Sequence, residues 1–170
     1  MTKTLLICRH AKSSWDDVTL SDRERPLNQR GRRDAPEMGR RLRQLGIQPD
    51  LVLVSTAVRT QETAQHYMRQ LECPPERLLI HPEIYTATVS GLLSVVQEVD
   101  STVQTLLLVG HNPECTGFAN LLGGLRLDRM PTGGIVAVRF PVDRWQEVEP
   151  GTGEVLFYDF PKNRKPGSGQ

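Results

Sequence analysis

Two histidines in the sequence come directly after short apolar runs and have neighbours that could bind an anion. His10 follows Arg9 after the apolar residues 4–8, and His111 follows Gly110 after residues 105–109. A neutral imidazole, with a reference pKa of about 6.5, is a usable nucleophile near pH 7. Arginine suits the forked recognition of phosphate oxygens. These residue types favour phosphoryl transfer through a covalent intermediate on histidine.

A further arginine and a helix start could stabilise the negative charge that develops in such a reaction. Arg59 is predicted on the first turn of a helix, where the helix dipole disfavours a cation unless an anion lies nearby. The helix predicted to begin at Asn112 and Pro113 would add backbone N–H donors. Two guanidinium groups and a protonated second histidine could hold the phosphate oxygens, because catalysis of this kind is mostly positioning and electrostatics. Such a set requires no metal ion.

The order of the apolar runs predicts where these residues meet. The predicted strands cover residues 4–8, 51–54, 78–80, 105–109, 134–140 and 154–160, and the predicted helices cover residues 28–45, 57–71, 90–99 and 113–122. Because the runs are continuous, we expect both sheet faces to be covered, as in a mostly parallel α/β sheet. The carboxyl ends of parallel strands share one edge, where ligands bind. One crevice should therefore hold five side chains that follow the first four strands: Arg9, His10, Arg59, Glu83 and His111.

The first predicted helix, residues 28–45, contains a proline. Asn28 is predicted as its N-cap and Gly46 as the glycine that follows its last turn. Pro36 lies inside the pattern, where its ring removes a hydrogen bond. The pattern predicts that the helix either starts late or kinks at this residue.

The ordered motifs resemble the histidine phosphatase superfamily, with its phosphoglycerate-mutase-like fold, and within it the SixA-type phosphohistidine phosphatases. The resemblance covers residues 4–140 and rests on four motifs: Arg9-His10, Arg25-Pro26-Leu27, Ser55-x-x-x-Arg59 and Val109-Gly110-His111-Asn112-Pro113. It implies a three-layer α/β/α sandwich with a mostly parallel, mixed sheet. It also implies that His10 is the phosphorylated nucleophile. Arg9 and Arg59 would hold the phosphate, and His111 would complete the pocket.

Two positions depart from the family's sequence pattern, and two others have roles that the resemblance does not decide. Ala11 stands where the family usually has glycine, so the backbone there must suit a side chain. Asp16 stands where many relatives have asparagine, and a carboxylate would repel phosphate, so we do not assign it as a ligand. Glu83 lies near the position of the general acid of esterase members, but its surroundings match poorly, and an ordinary loop carboxylate is the alternative. Arg25 is either a surface residue or a substrate-binding residue at the mouth of the pocket.

The interval between Glu83 and His111 holds one predicted helix and one strand, which leaves no room for a large helical lid. An open crevice suits a phosphorylated side chain on another protein, and phosphohistidine also places less demand on a general acid. The sequence therefore predicts a metal-independent, cofactor-free phosphatase that hydrolyses phosphohistidine in proteins. One alternative is a small-molecule phosphomonoesterase with Glu83 as its acid. Another is a non-catalytic module that binds phosphoproteins.

Length and composition set the remaining expectations. The 170 residues predict one domain over residues 1–160 and a polar, disordered tail over residues 161–170. Three cysteines without a C-x-x-C pair fit neither a disulfide framework nor a structural zinc site. The N-terminus does not resemble a signal peptide, and no apolar run approaches the ~20 residues of a membrane span, so we expect a cytoplasmic protein.

The charge pattern bears on partners. The net charge of +1 and an aromatic content of 5% argue against nucleic-acid binding. Eight arginines between Arg23 and Arg43 are accompanied by acidic residues, which favours a solvated helix face with local ion pairs. Docking of an acidic phosphoprotein surface is the alternative. The oligomeric state stays open.

Overall fold

Strands and helices alternate through most of the chain in the computed structural model, which describes residues 1–163. The strands are β1 (Lys3–Arg9), β2 (Leu51–Val54), β3 (Leu78–Ile80), β4 (Thr105–Gly110), β5 (Ile135–Phe140) and β6 (Glu154–Asp159). The α-helices are α1 (Gln29–Gln44), α2 (Val58–Gln70), α3 (Val89–Gln97) and α4 (Glu114–Gly123). Short 3₁₀ helices cover Asp22–Glu24, Pro75–Arg77, Pro82–Ile84 and Trp145–Glu147.

The six strands form one mixed sheet in the order β3-β2-β4-β1-β5-β6. The first four in this order run parallel to one another, whereas β5 and β6 are antiparallel to their neighbours. The carboxyl ends of β1 and β4 are in register, with Arg9 opposite Gly110. Each strand that precedes a predicted phosphate ligand therefore ends at the same edge of the sheet. The predicted mixed α/β sheet is confirmed.

Helices cover both faces of this sheet because side chains alternate between the faces along each strand. In β1, Leu5 and Ile7 pack into the cluster that contains residues of α3 and α4. Leu6 and Cys8 point to the other face and pack with residues of α1 and α2. The result is the three-layer arrangement that the resemblance implies.

Helix α1 begins where its cap was predicted and continues through its proline. The side chain of Asn28 accepts a hydrogen bond from the backbone N–H of Gly31 at 2.8 Å. The helix starts at Gln29, so it does not start late, and Pro36 lies in its interior. Gly46 follows the helix with a φ of +75°, a left-handed conformation that glycine adopts without strain.

The C-terminal end of the described chain is attached to α1. Arg41 donates to the carbonyl oxygens of Phe160 and Pro161, both at 3.0 Å, and Asn163 donates to Asp159 at 2.9 Å. These contacts continue beyond residue 160, where the tail was predicted to begin. Residues 164–170, the remainder of that predicted tail, lie outside the described residues.

The arginine-rich segment forms local ion pairs, as the favoured interpretation expected. Arg30 pairs with Asp34, and Arg41 pairs with Glu37. Arg25 differs, because it is buried beside the predicted site. Across residues 1–163, no helix is long and apolar enough to cross a membrane.

Candidate active site

The four residues expected to bind phosphate line one cavity of about 510 Å³ at the carboxyl edge of the parallel strands. Arg9 ends β1 and His10 follows it; Arg59 lies in the first turn of α2, and His111 connects β4 to α4. The ring centroids of the two histidines are 5.5 Å apart, and Arg59 Nη2 lies 3.4 Å from His111 Nδ1. The remaining lining residues are Lys12, Ser13, Trp15, Asp22, Arg25, Tyr85, Asn112, Glu114, Arg129 and Thr132.

His10 is held in a form suited to nucleophilic attack. Its Nδ1 lies 2.7 Å from the carbonyl oxygen of Ala11, which can only accept, so Nδ1 carries the proton and donates. Nε2 is therefore left with its lone pair. Burial lowers the pKa of His10 to about 3, despite the hydrogen bond to Ala11, and the charges of His111, Arg59 and Arg9 act in the same direction as burial. His10 is neutral at neutral pH.

His111 has the opposite tautomer. Arg59 donates towards Nδ1, so Nδ1 accepts, and Nε2–H donates to Ser55 Oγ at 2.8 Å. Ser55 is fixed in turn, because its hydroxyl accepts from the backbone N–H of Ala57 at 3.1 Å and bonds with Thr60 Oγ1 at 2.9 Å. Burial, followed by the charge of Arg59, lowers the pKa of His111 to about 4. Ser55 in the motif with Arg59 thus orients the second histidine.

The two guanidinium groups are anchored, yet each keeps an unused donor. Arg59, 5% exposed, donates from Nη1 to the carbonyl oxygen of Asp22 at 2.7 Å and from Nη2 to its carboxylate at 3.0 Å. Arg9 donates from Nη1 to the carbonyl oxygen of Met130 at 2.8 Å. The Nε atoms of both arginines are buried and have no hydrogen-bond partner among the described residues. Both side chains line the cavity, so each guanidinium group lies beside the space in which an anion could bind.

Asp22 is a residue of the cavity that the sequence analysis missed. Its carboxylate accepts from Arg59, from the hydroxyl of Tyr85 and from Arg25 Nε, the last at 3.3 Å. Burial alone would raise the pKa of Asp22. The hydrogen bonds from Tyr85 and Arg59, with the charges of Arg59 and Arg25, outweigh burial and lower the pKa to about 2. The signal that could have found Asp22 is its position three residues before Arg25, the first residue of a motif on which the family resemblance rests.

The two residues whose roles the sequence did not decide differ in whether they line the cavity. Arg25 is 7% exposed and lines the cavity. Glu83 is exposed in the 3₁₀ helix Pro82–Ile84 and is not among the described residues that line it. Tyr85, two residues later, does line the cavity. Its ring is edge-on to the ring of His111, and the two centroids are 5.5 Å apart. Asp16 is exposed and also lies outside this lining, as expected for a carboxylate that is not a ligand.

Ala11 shows how the turn after His10 accommodates a side chain. Among the described residues, Glu72 is the only non-glycine with a positive φ, so Ala11 has an ordinary backbone conformation. Its N–H donates to Thr63 Oγ1 at 3.0 Å, and its methyl group is fully buried. The turn therefore does not require glycine.

The start of α4 borders the cavity, but its capping is more elaborate than the sequence indicated. Asn112 Oδ1 accepts from the backbone N–H and the hydroxyl of Thr116 at 3.2 and 3.0 Å. The Asn112 amide also donates to the carbonyl oxygen of Met130 at 3.1 Å. Because Arg9 donates to the same carbonyl oxygen, Asn112 helps to fix the loop that anchors this guanidinium.

The cavity is electropositive. Five cationic side chains and two carboxylates line it: Arg9, Lys12, Arg25, Arg59 and Arg129, against Asp22 and Glu114. Within residues 1–163, no group of three or more histidine, cysteine, aspartate or glutamate side chains is placed to hold a metal ion. The arrangement suits a phosphate held by arginines beside a neutral histidine nucleophile.

Known proteins share both the sequence pattern and the fold. Residues 5–92 match the histidine phosphatase superfamily (branch 1). An uncharacterized protein of Mycobacterium tuberculosis is 31% identical over 164 residues, which cover 91% of this chain and 99% of that protein. The solved structure of a candidate phosphohistidine phosphatase SixA from Nakamurella multipartitia has a TM-score of 0.84 at 24% identity and covers 96% of this chain and 98% of that one. The protein histidine phosphatase SixA complexed with tungstate gives 0.78 at 22% identity, with coverage of 93% and 97%.

These similarities agree with the geometry of the cavity, in which arginines surround a neutral histidine. The superfamily match supports phosphatase activity, and the SixA structures show the same fold. The chain belongs to the histidine phosphatase superfamily, and its fold is of the SixA type.

Proposed function

We propose that this phosphatase hydrolyses phosphohistidine in proteins through a phospho-His10 intermediate and without a metal ion. The observation that carries the proposal is the position of neutral His10, with an unprotonated Nε2, in one electropositive cavity with the guanidinium groups of Arg9 and Arg59. A histidine nucleophile and cationic side chains that stabilise the phosphate oxygens are what the first chemical step needs.

In that step, Nε2 of His10 attacks the phosphorus in line. The bond between phosphorus and the substrate nitrogen breaks, and its electron pair stays on the departing imidazole. Arg9 and Arg59 bind the phosphate oxygens, whose charge they stabilise. Because both guanidinium groups are anchored at their terminal nitrogens, they need no rearrangement at the moment of reaction.

A water molecule completes the reaction. Its oxygen attacks the phosphorus of phospho-His10, the bond to Nε2 breaks with its electron pair returning to His10, and phosphate leaves with both protons of the water. His111 is neutral in the free protein because of burial and Arg59. A bound phosphate dianion acts in the opposite direction and favours a proton on His111 Nδ1, where it can be donated to a phosphate oxygen.

The surroundings of the cavity favour phosphohistidine on a protein over a small phosphate ester. Imidazole leaves from phosphorus more readily than an alkoxide, so the position of Glu83 outside the lining does not prevent the reaction. Between Tyr85 and β4 the chain forms α3 and short connections, and no large helical lid covers the described site. The SixA structures, one of which is a protein histidine phosphatase, support the same substrate class.

The test is to trap the intermediate. The protein is mixed with a histidine-phosphorylated protein domain carrying a labelled phosphate and is quenched in alkali, where phosphohistidine survives. We expect acid-labile label on His10, and loss of both label and phosphate release in His10→Ala. His66→Gln is the matched control, since His66 lies within α2 and outside the cavity lining. Phosphate release by His10→Ala, or binding without turnover by the wild type, would refute the proposal.

A further inference from the structure

Trp15 lies at the mouth of the cavity and is unusually exposed for a tryptophan. It belongs to the cavity lining, and 71% of its surface is accessible, whereas Trp145 in the core is fully buried. One face of the Trp15 ring is covered, because the guanidinium carbon of Arg25 lies 3.5 Å from the ring centroid. The exposed part of the ring is therefore its other face and its edges.

The ring is held in place by a buried arginine. Arg25, 7% exposed, donates from Nη1 to Ser13 Oγ at 3.1 Å and to the carbonyl oxygen of Ser14 at 3.2 Å. Its Nε donates to Asp22 at 3.3 Å, so the carboxylate compensates the charge beneath the ring. Arg25 thus serves to position Trp15.

The backbone that carries Trp15 is also fixed. Ser14 N–H donates to the carbonyl oxygen of Pro26 at 2.8 Å, and a β-bridge joins Ser13 to Leu27. At the start of α1, the backbone N–H of Asn28 donates to the carbonyl oxygen of Lys12 at 3.0 Å. A ring held in this way before substrate binds loses little conformational entropy on contact, which makes it an effective binding surface.

We infer that the free face of Trp15 is the subsite for the leaving group, and that it selects substrates whose phosphate is attached to a planar ring. This inference rests on the proposed function. An imidazole that carries phosphate on one nitrogen and a proton on the other is a cationic ring, which an aromatic face attracts through stacking and cation–π interaction.

The subsite explains how the reaction proceeds without a carboxylic acid at the leaving group. When the bond between phosphorus and nitrogen breaks, its electron pair stays on that nitrogen. The distal nitrogen keeps its proton, so the departing ring is neutral imidazole and needs no proton from the protein. By stabilising the protonated ring, Trp15 favours the form that can leave in this way.

The inference is tested with two substrates that share the transferred group. Phosphohistidine has a ring as its leaving group, whereas phosphoramidate has none. We expect Trp15→Ala to lower kcat/KM about tenfold for phosphohistidine and to change it less than about twofold for phosphoramidate. Trp15→Phe should retain most of the activity on both. Val18→Ala is the matched control, because Val18 is 92% exposed on the same loop but outside the cavity lining.

Each outcome bears on one of the two proposals. Equal losses on both substrates, or no loss on either, would overturn the role of Trp15, because only a ring-specific contact discriminates between them. A wild-type protein that cleaves phosphoramidate but not phosphohistidine would refute the proposed function instead. As a second readout, a phosphohistidine peptide should quench tryptophan fluorescence in His10→Ala and not in the His10→Ala, Trp15→Phe double variant. Equal quenching in the two proteins would overturn the subsite.

Discussion

The two histidines of the cavity have different tautomers, and this difference supports the roles that we propose for them. His10 donates from Nδ1 to a backbone carbonyl and keeps Nε2 free, whereas His111 donates from Nε2 to Ser55 and accepts at Nδ1 from Arg59. A free lone pair suits the nucleophile. The lone pair of the second histidine faces a guanidinium, where a proton is disfavoured until an anion binds between them. Ser55 is therefore a positioning residue for His111.

The exposed position of Glu83 leads to a prediction about leaving-group activation. Because Glu83 lies outside the cavity lining, we expect Glu83→Gln to leave phosphohistidine turnover within about twofold of the wild type. Steady-state phosphate release from a phosphohistidine protein measures this. Glu76→Gln, in another exposed 3₁₀ helix, is the matched control. A loss of tenfold or more that is confined to Glu83→Gln would show that this carboxylate enters the site during the reaction.

At the scale of elements, the loop after β1 and the start of α1 depend on a close approach of two backbones. A Cβ atom at Gly31 would lie 2.1 Å from the carbonyl oxygen of Lys12, so only glycine fits without a shift. That carbonyl also accepts from Asn28 N–H, and the same loop carries Ser13 and Trp15 to the cavity. The packing of α1 against this loop therefore helps to position the side chains that the loop contributes to the cavity.

We expect Gly31→Ala to destabilise the protein by about 2 kcal/mol through overpacking, a fall in Tm of roughly 4–8 °C. Activity should fall as well, because the displaced loop forms one side of the cavity. Thermal denaturation and phosphohistidine turnover measure the two effects. Arg33→Ala is the control on the same helix, at an exposed position. Unchanged stability in Gly31→Ala would mean that the two backbones separate at little cost.

Regular elements were more predictable than the loops that complete the site. The apolar runs at 51–54 and 78–80 coincide with β2 and β3. Burial explains the signal of β2, whereas Leu79 and Ile80 of the edge strand β3 are exposed although they are apolar. Strand β1 extends to Arg9, whose backbone pairs in the sheet although its side chain is polar. Asp22, Tyr85 and Trp15 have no periodic signal. Their positions depend on hydrogen bonds and ring contacts with residues far along the chain, such as Arg59 and His111.

At the scale of the whole molecule, folding buries titratable side chains around the cavity. Each of them must be either uncharged or paired with an opposite charge. Helices on both faces bury the strands, and the ends of β1 and β4 bring His10 and His111 to one electropositive cavity, where His10 is buried and His111 is half-buried. Burial is the largest cause of the lowered pKa values of both rings. Neutral imidazoles serve the chemistry, but they make folding sensitive to acid.

This sensitivity gives a prediction for stability. In the unfolded chain both imidazoles bind protons near their reference pKa of about 6.5, whereas in the folded protein the pKa values are about 3 for His10 and about 4 for His111. As the pH falls below 6.5 the unfolded state takes up protons first. Stability present above that pH is therefore lost progressively towards pH 3–4. For His10 alone the loss at pH 5 is about 2 kcal/mol.

Thermal denaturation at pH 7 and pH 5 measures this loss, and His10→Asn isolates the part that belongs to His10. The variant lacks the group that protonates in the unfolded chain, so its Tm should fall less between the two pH values than the Tm of the wild type. Inorganic phosphate should raise the wild-type Tm more than that of His10→Asn or Arg59→Gln, because an anion that binds only the folded cavity shifts the equilibrium towards it. Parallel pH dependence in wild type and His10→Asn would contradict a strongly lowered pKa of His10, and with it the account of a neutral nucleophile held ready by burial.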